Sequence, residues 1–134
     1  IVRKFYTAGE KEISTELLFE NDLAVSMHSY TLQTAGNEYI QALDDTVVFC
    51  TSYTGFQQLK QIYPELVQLD LLLTEYYALW LEERLFRFHT MDATQRYQLL
   101  LTEHPEMVRK VQLTYIASYL GISLETLSRI RAKI

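Results

Sequence analysis

Glu125, Ser128 and Arg129 are the residues of this chain whose types and spacing could do recognisable chemistry. Positions 125 and 129 are about one helical turn apart, so on a helix both side chains project from one side, with Ser128 beside them. A guanidinium can donate two hydrogen bonds to guanine O6 and N7, and a carboxylate can accept from the amino group of cytosine. The bland alternative is a solvated i,i+4 ion pair worth about a few tenths of a kcal/mol. Base reading is favoured because the pair stands near the start of a helix, directly after a glycine turn.

The elements that must hold this triad lie within Gln112 to Ile134, QLTYIASYLGISLETLSRIRAKI. Leu113, Ile116, Ala117 and Leu120 are spaced to line one face of a short helix. Gly121 follows where that helix must stop, because glycine takes the left-handed backbone of a helix C′ position without steric cost. Ile122 plugs the corner, and Ser123 is a good N-cap for a second helix. Leu127 and Ile130 give the second helix its inward face, and the small Ala117 suits a close helix crossing. Small, Gly and apolar residues at these offsets together are more than a bare amphipathic hairpin requires; they describe a helix-turn-helix able to enter a DNA major groove.

This segment resembles the DNA-binding helix-turn-helix of the Crp/Fnr family of bacterial transcription regulators. In that family a recognition helix of the form E-T-x-x-R, often E-T-x-S-R, follows Gly-x-[ST]. This chain has Gly121-Ile122-Ser123-Leu124-Glu125-Thr126-Leu127-Ser128-Arg129. The resemblance implies that Glu125, Ser128 and Arg129 read bases. Ser123, Thr126 and Lys133 complete the expected DNA-contacting set, with Lys133 on a phosphate. Many relatives place an Arg or Val just before the Glu; here Leu124 stands there, closer to the Fnr branch, so the half-site sequence is left open.

Net charge over the 134 residues is −5, which argues against nucleic acid until it is split. From Met107 onward, Arg109, Lys110, Arg129, Arg131 and Lys133 stand against Glu125 alone, a net of +4. The first 106 residues hold seven basic and sixteen acidic side chains, a net of −9. Screening confines phosphate attraction to a range of ~8 Å, so an acidic body with a basic tip remains compatible with a DNA-binding head. The length allows one or two small domains with a modest core. No apolar run approaches the ~20 residues of a membrane span, and no signal-peptide pattern is present. A lone cysteine, Cys50, cannot form an internal disulfide. That fits a reducing cytoplasm, the expected location. The chain starts at Ile1 without an initiator Met, so upstream residues are expected.

Residues 1–53 read as β structure. Ile1–Tyr6 alternates weakly before a turn at Thr7–Lys11, and Glu12–Phe19 and Glu38–Leu43 are strand-length apolar pieces between polar turns. Thr46–Tyr53, rich in Val, Phe and Tyr, reads as a further strand, with Cys50 as a buried, inert thiol. Thr54 can cap a short helix that buries Phe56, Leu59 and Ile62. Short strands with frequent turns suggest a β-roll or barrel. The family resemblance implies a cyclic-nucleotide-binding-like double-stranded β-roll over residues 1–62, without its N-terminal strands. The family's ribose-binding Gly-Glu-Leu falls near Val25-Ser26-Met27, and its phosphate-binding Arg-[Ser/Thr]-Ala near Gly36-Asn37-Glu38. The carboxylate and the guanidinium are both missing. A buried cyclic phosphate needs a cation or converging N–H groups, so no ordinary cyclic-AMP binding is expected, and the effector is unknown. There is no Cys cluster for an iron–sulfur sensor.

Pro64 suits the first turn of a helix, and Glu65 to about His89 continues without Gly or Pro. Leu69, Leu73, Tyr76 and Trp80, preceded by Leu66, recur at three- and four-residue steps, the seam of a two-stranded coiled coil. Val67, Leu71, Ala78, Leu81, Leu85 and Phe88 form a second stripe that could pack on the roll. A fully buried intramolecular helix is the alternative to dimerisation; the family pairs through this helix. Asp92 can cap a helix from Ala93 to about Thr102, with Tyr97, Leu100 and Leu101 inward, after a body-to-head connection at Met91–Asp92. Pro105 suits N1 of a short helix through Arg109. The family's C-terminal wing is absent from this chain.

No enzyme is expected. His28, His89 and His104 stand far apart with no partner at metal-ligand spacing, and no nucleophile elbow, P-loop or dinucleotide fingerprint occurs. Asp44-Asp45 and Glu82-Glu83 are sequence neighbours whose side chains point apart. The reading is an α+β chain in three parts. Residues 1–62 form a partial sensor roll, 63–90 a long dimerisation helix, and 91–134 a winged-helix-type helix-turn-helix without its wing. The expected function is a homodimeric, sequence-specific regulator on inverted-repeat double-stranded DNA, with RNA polymerase as a further partner the resemblance implies. The rival is a ligand-sensing roll whose helical tail contacts protein.

Overall fold

Three segments between residues 2 and 42 pair into one antiparallel sheet. A computed structural model describes residues 1–134. Strand β1 (Val2–Ala8) lies at the centre, between β2 (Lys11–Leu18) and β3 (Glu38–Ala42), in the order β2-β1-β3. Ala8 pairs with Lys11, leaving Gly9 and Glu10 as a two-residue hairpin loop in which Gly9 takes φ +63°. That left-handed position is why glycine is needed there. The ladder slips by one residue between Lys4 and Phe5. Lys4 faces Glu16 and Phe5 faces Ser14, so Thr15 is the extra residue of a bulge. A short helix, α1 (Met27–Leu32), which the sequence pattern does not announce, precedes β3.

The charge pattern of β1 is its unexpected feature. Arg3 and Lys4 are both buried, beside buried Phe5. The Arg3 guanidinium donates from Nε to the Ser14 hydroxyl at 2.8 Å and from Nη1 to Glu12 at 2.6 Å, and it stacks on the rings of Phe5 and Tyr115. Lys4 pairs with Glu16, faces Glu38 at 3.7 Å, and donates to the Val25 carbonyl at 3.0 Å. Buried cations survive only with such full partnering.

Six helices follow β3: α2 (Tyr53–Ile62), α3 (Glu65–Thr90), α4 (Ala93–Glu103), α5 (Pro105–Lys110), α6 (Leu113–Tyr119) and α7 (Leu124–Arg131). Contacts group the chain into two compact units, 1–47 with 93–134, and 48–92. The second break falls at Asp92–Ala93.

Unit one has a single apolar cluster: Leu17 from the sheet with Tyr97, Leu100, Met107, Val111, Ile116, Ala117, Leu120, Leu127 and Ile130 from α4 to α7. The expected inward positions of these helices are met, and Pro105 opens α5 as anticipated. Unit two consists of α2, α3 and the segment before them. Here several expectations are corrected. Thr46–Ser52 forms no strand; with no neighbour to supply ladder hydrogen bonds, its β-branched residues stay open, and Phe49 is 102 % exposed. Cys50 is therefore exposed rather than buried. The cap of α2 is Ser52, whose hydroxyl accepts from the Gly55 N–H, not Thr54. Leu59 and Ile62 are exposed and Phe56 half-buried, so α2 has no buried face.

Helix α3 spans 26 residues without one buried side chain, and Pro64 stands at its start as expected. Leu69, Leu73 and Tyr76 are exposed, and Trp80 is half-covered by its stack on Tyr77 and by the Arg84 guanidinium. The second stripe is open as well: Val67, Leu71, Leu81, Leu85 and Phe88 are all exposed. Glu83 and Arg87 pair with each other at 2.6 Å. No helix is long and apolar enough to cross a membrane.

Candidate nucleic-acid interface

Helices α6 and α7 are joined by a turn of the kind the residue types require. The Leu120 N–H closes α6 on the Ile116 carbonyl, and the Arg96 guanidinium caps the same end by donating to the Leu120 carbonyl at 3.2 Å. A cation at a helix C-terminus satisfies an orphan carbonyl and the dipole together. Gly121 has φ +69°, and the Ile122 N–H returns to the Ala117 carbonyl, the wider ring of a glycine-terminated helix. Ser123 then caps α7: its hydroxyl accepts from the Thr126 N–H at 3.1 Å and also bonds the Thr126 hydroxyl at 2.9 Å. Ser123 and Thr126 thus hold each other at the helix start.

The underside of α7 is closed. Leu127 is 0 % exposed and Ile130 is buried, against Ile116, Ala117 and Leu120 of α6. Burial of the underside fixes which edge of α7 faces outward. Glu125, Ser128 and Arg129 are exposed on that edge. Arg129 Nη2 lies 3.3 Å from Glu125 Oε1, with the two side chains 68 % and 80 % exposed. The solvated pair considered as the bland alternative therefore exists. It is also an accessible edge: such an exposed pair is worth little to the fold, so both groups can exchange partners at small cost.

Lys133 is exposed one turn beyond Arg129. Arg129, Lys133, Thr126 and Ile130 line an open depression together with Thr94 from the first turn of α4. Thr94 was not distinguishable in the sequence, because only the fold brings the start of α4 to this depression. All six expected residues (Ser123, Glu125, Thr126, Ser128, Arg129 and Lys133) are thus gathered on α7 and its flanks. On α5, the Glu106 carboxyl is held below the usual carboxylate range by the hydrogen bond and charge of Lys110, 3.1 Å away. The seam residues Leu69, Leu73, Tyr76 and Trp80 belong to the other unit.

No protein-family model matches the chain, and no curated protein matches it.

Proposed function

We propose that the chain is a sequence-specific DNA-binding transcription regulator of the Crp/Fnr type. In this reading α6 and α7 are its helix-turn-helix, the three-stranded sheet is part of its β-roll, and α3 pairs two copies in the cytoplasm. The observation that carries the reading is the exposed Glu125–Ser128–Arg129 edge on a rod whose underside is sealed by Leu127 and Ile130. A helix held this way presents donors and acceptors to base edges without moving its core. Two such helices in a twofold dimer would enter major grooves about one helical turn (~34 Å) apart, on an inverted repeat. The effector is unassigned, and ordinary cyclic AMP is not among the candidates, for want of the two cassette residues.

Selection of bound fragments from a random duplex pool supplies the target, and two substitutions then test the assignment. Arg129→Ala is expected to cost ~1–3 kcal/mol on the selected site and relax one position of each half-site. Lys133→Ala is expected to weaken all duplexes alike, as loss of a phosphate contact does. Equal losses for both variants on random and selected DNA would overturn the division of roles. Binding that is indifferent to added salt would favour the rival, a tail that docks on protein.

Pairing through α3 is tested separately. Leu73→Glu places a carboxylate in the middle of the seam, and a desolvated charge there is not tolerated without a partner. Sedimentation should show the dimer lost while the circular dichroism of the monomer stays helical. A wild-type chain that sediments as a monomer at micromolar concentration would remove the seam from the proposal.

A further inference from the structure

The surface of α6 that faces away from its own core is already occupied. At 100° per residue, Tyr115 and Ser118 lie opposite Ile116, Ala117 and Leu120. The β1–β2 hairpin sits on them. The Ser118 hydroxyl accepts from the Ser14 N–H at 2.9 Å and donates to the Glu12 carbonyl at 3.1 Å, closing the free edge of β2. The Tyr115 ring stacks on the Arg3 guanidinium at 4.0 Å, and that guanidinium is held in turn by Glu12 and Ser14. Glu10 and Glu12 are exposed on the hairpin, with Lys11 between them, so its tip is net negative.

In a helix-turn-helix the first helix crosses the DNA backbone while the second lies in the groove. Resting on the DNA-binding reading above, we infer that the β1–β2 hairpin is an autoinhibitory cover on α6, in competition with DNA phosphates. The reading edge of α7 stays open in the covered form, but seating it brings the hairpin carboxylates toward the phosphate backbone. The named contacts to α6 suit release: the two hydrogen bonds of Ser118 can be replaced by water or a phosphate oxygen. Release also has an opposing cost, because Leu17 of β2 is buried in the shared apolar cluster. DNA affinity is therefore lowered by the cost of undocking, and whatever weakens the hairpin contact raises it.

Hydrogen exchange of the intact chain with and without the selected duplex tests this. Amides of residues 11–18, Ser14 above all, should lose protection when DNA binds. Glu12→Gln, which loosens the hold on Arg3, should raise affinity several-fold. Glu10→Gln, an equal change of charge at the loop without a bond to Arg3, should raise it less. Unchanged or increased protection of 11–18 in a complex that does form overturns the cover and leaves the DNA reading intact; so does an equal gain from both glutamine variants. Absence of duplex binding by the wild type and by Glu12→Gln alike overturns both.

Discussion

Leu127→Ala is expected to cost about 2–5 kcal/mol, the usual range for removing a fully buried leucine side chain and leaving its cavity. Leu127 has no exposed surface, and it joins α7 to Ile116, Ala117 and Leu120 of α6 within a cluster that also holds Tyr97 and Leu100 of α4. The same cluster is the apolar core of its unit. A small domain has roughly 5–15 kcal/mol in hand, so the loss is a large share of it. At about 4–8 °C per kcal/mol for a unit of this size, the melting temperature should fall by roughly 10 °C or more. Leu124→Ala is the matched control. Leu124 lies in the same helix but is exposed, and an exposed substitution should stay within about 0.5 kcal/mol. Calorimetry of the two variants separates a packed α7 from one that merely lies on the surface. Equal melting temperatures would mean that the edge carrying Glu125 and Arg129 is not held in place.

Much of this was legible in the sequence, for a local reason. Gly121 and Ser123 specify a turn and a cap through their own backbone preferences, and the apolar spacing of α6 and α7 follows from helix geometry alone. Those features need no knowledge of distant residues, and the structure has them where the spacing puts them. Thr46–Tyr53 shows the opposite case. Val47, Val48 and Phe49 carry strand propensity, but a strand exists only where a neighbour offers its edge, and none does here. Propensity for β structure measures fit to a sheet surface rather than a preference of the residue itself. Cys50 followed that segment into solvent. The stripes of α3 were likewise legible as stripes, because their spacing follows from helix geometry alone.

Arg3 and Lys4 were illegible for a third reason. Read in isolation they are two solvated cations at the edge of a weak strand, part of the charge count of an acidic body. Only the fold brings Glu12, Ser14 and Gln41 to Arg3, and Glu16 and Glu38 to Lys4. The central position of β1 is the cause: neighbours on both sides supply partners, and the bulge at Thr15 sets Lys4 against Glu16. A buried pair in a central strand is a long-range property.

That pair sets the second large effect. Lys4→Met is expected to cost about 3–5 kcal/mol, because removing one member of a buried pair leaves the other as an uncompensated buried charge. Lys4 is 1 % exposed, Glu16 is buried beside it, and Glu38 lies within ion-pair reach. The methionine keeps nearly the same stem and volume, so packing changes little and the loss reports charge. The buried Glu16 carboxylate then lacks its ammonium, and the Val25 carbonyl loses its donor. A second variant isolates this cause. Lys4→Met combined with Glu16→Leu removes the stranded charge, and buried pairs replaced by apolar residues are often neutral or better. The double variant should therefore recover most of the loss, a coupling that independent sites would not show. Denaturant unfolding of the wild type, the two single variants and the double variant decides it: if the double variant is as unstable as the sum of its parts, the loss at Lys4 does not come from a stranded charge on Glu16. The outcome also bears on the hairpin, since Lys4 and Arg3 are adjacent in β1. A sheet loosened at Lys4 should hold α6 less tightly, and DNA affinity should rise as stability falls.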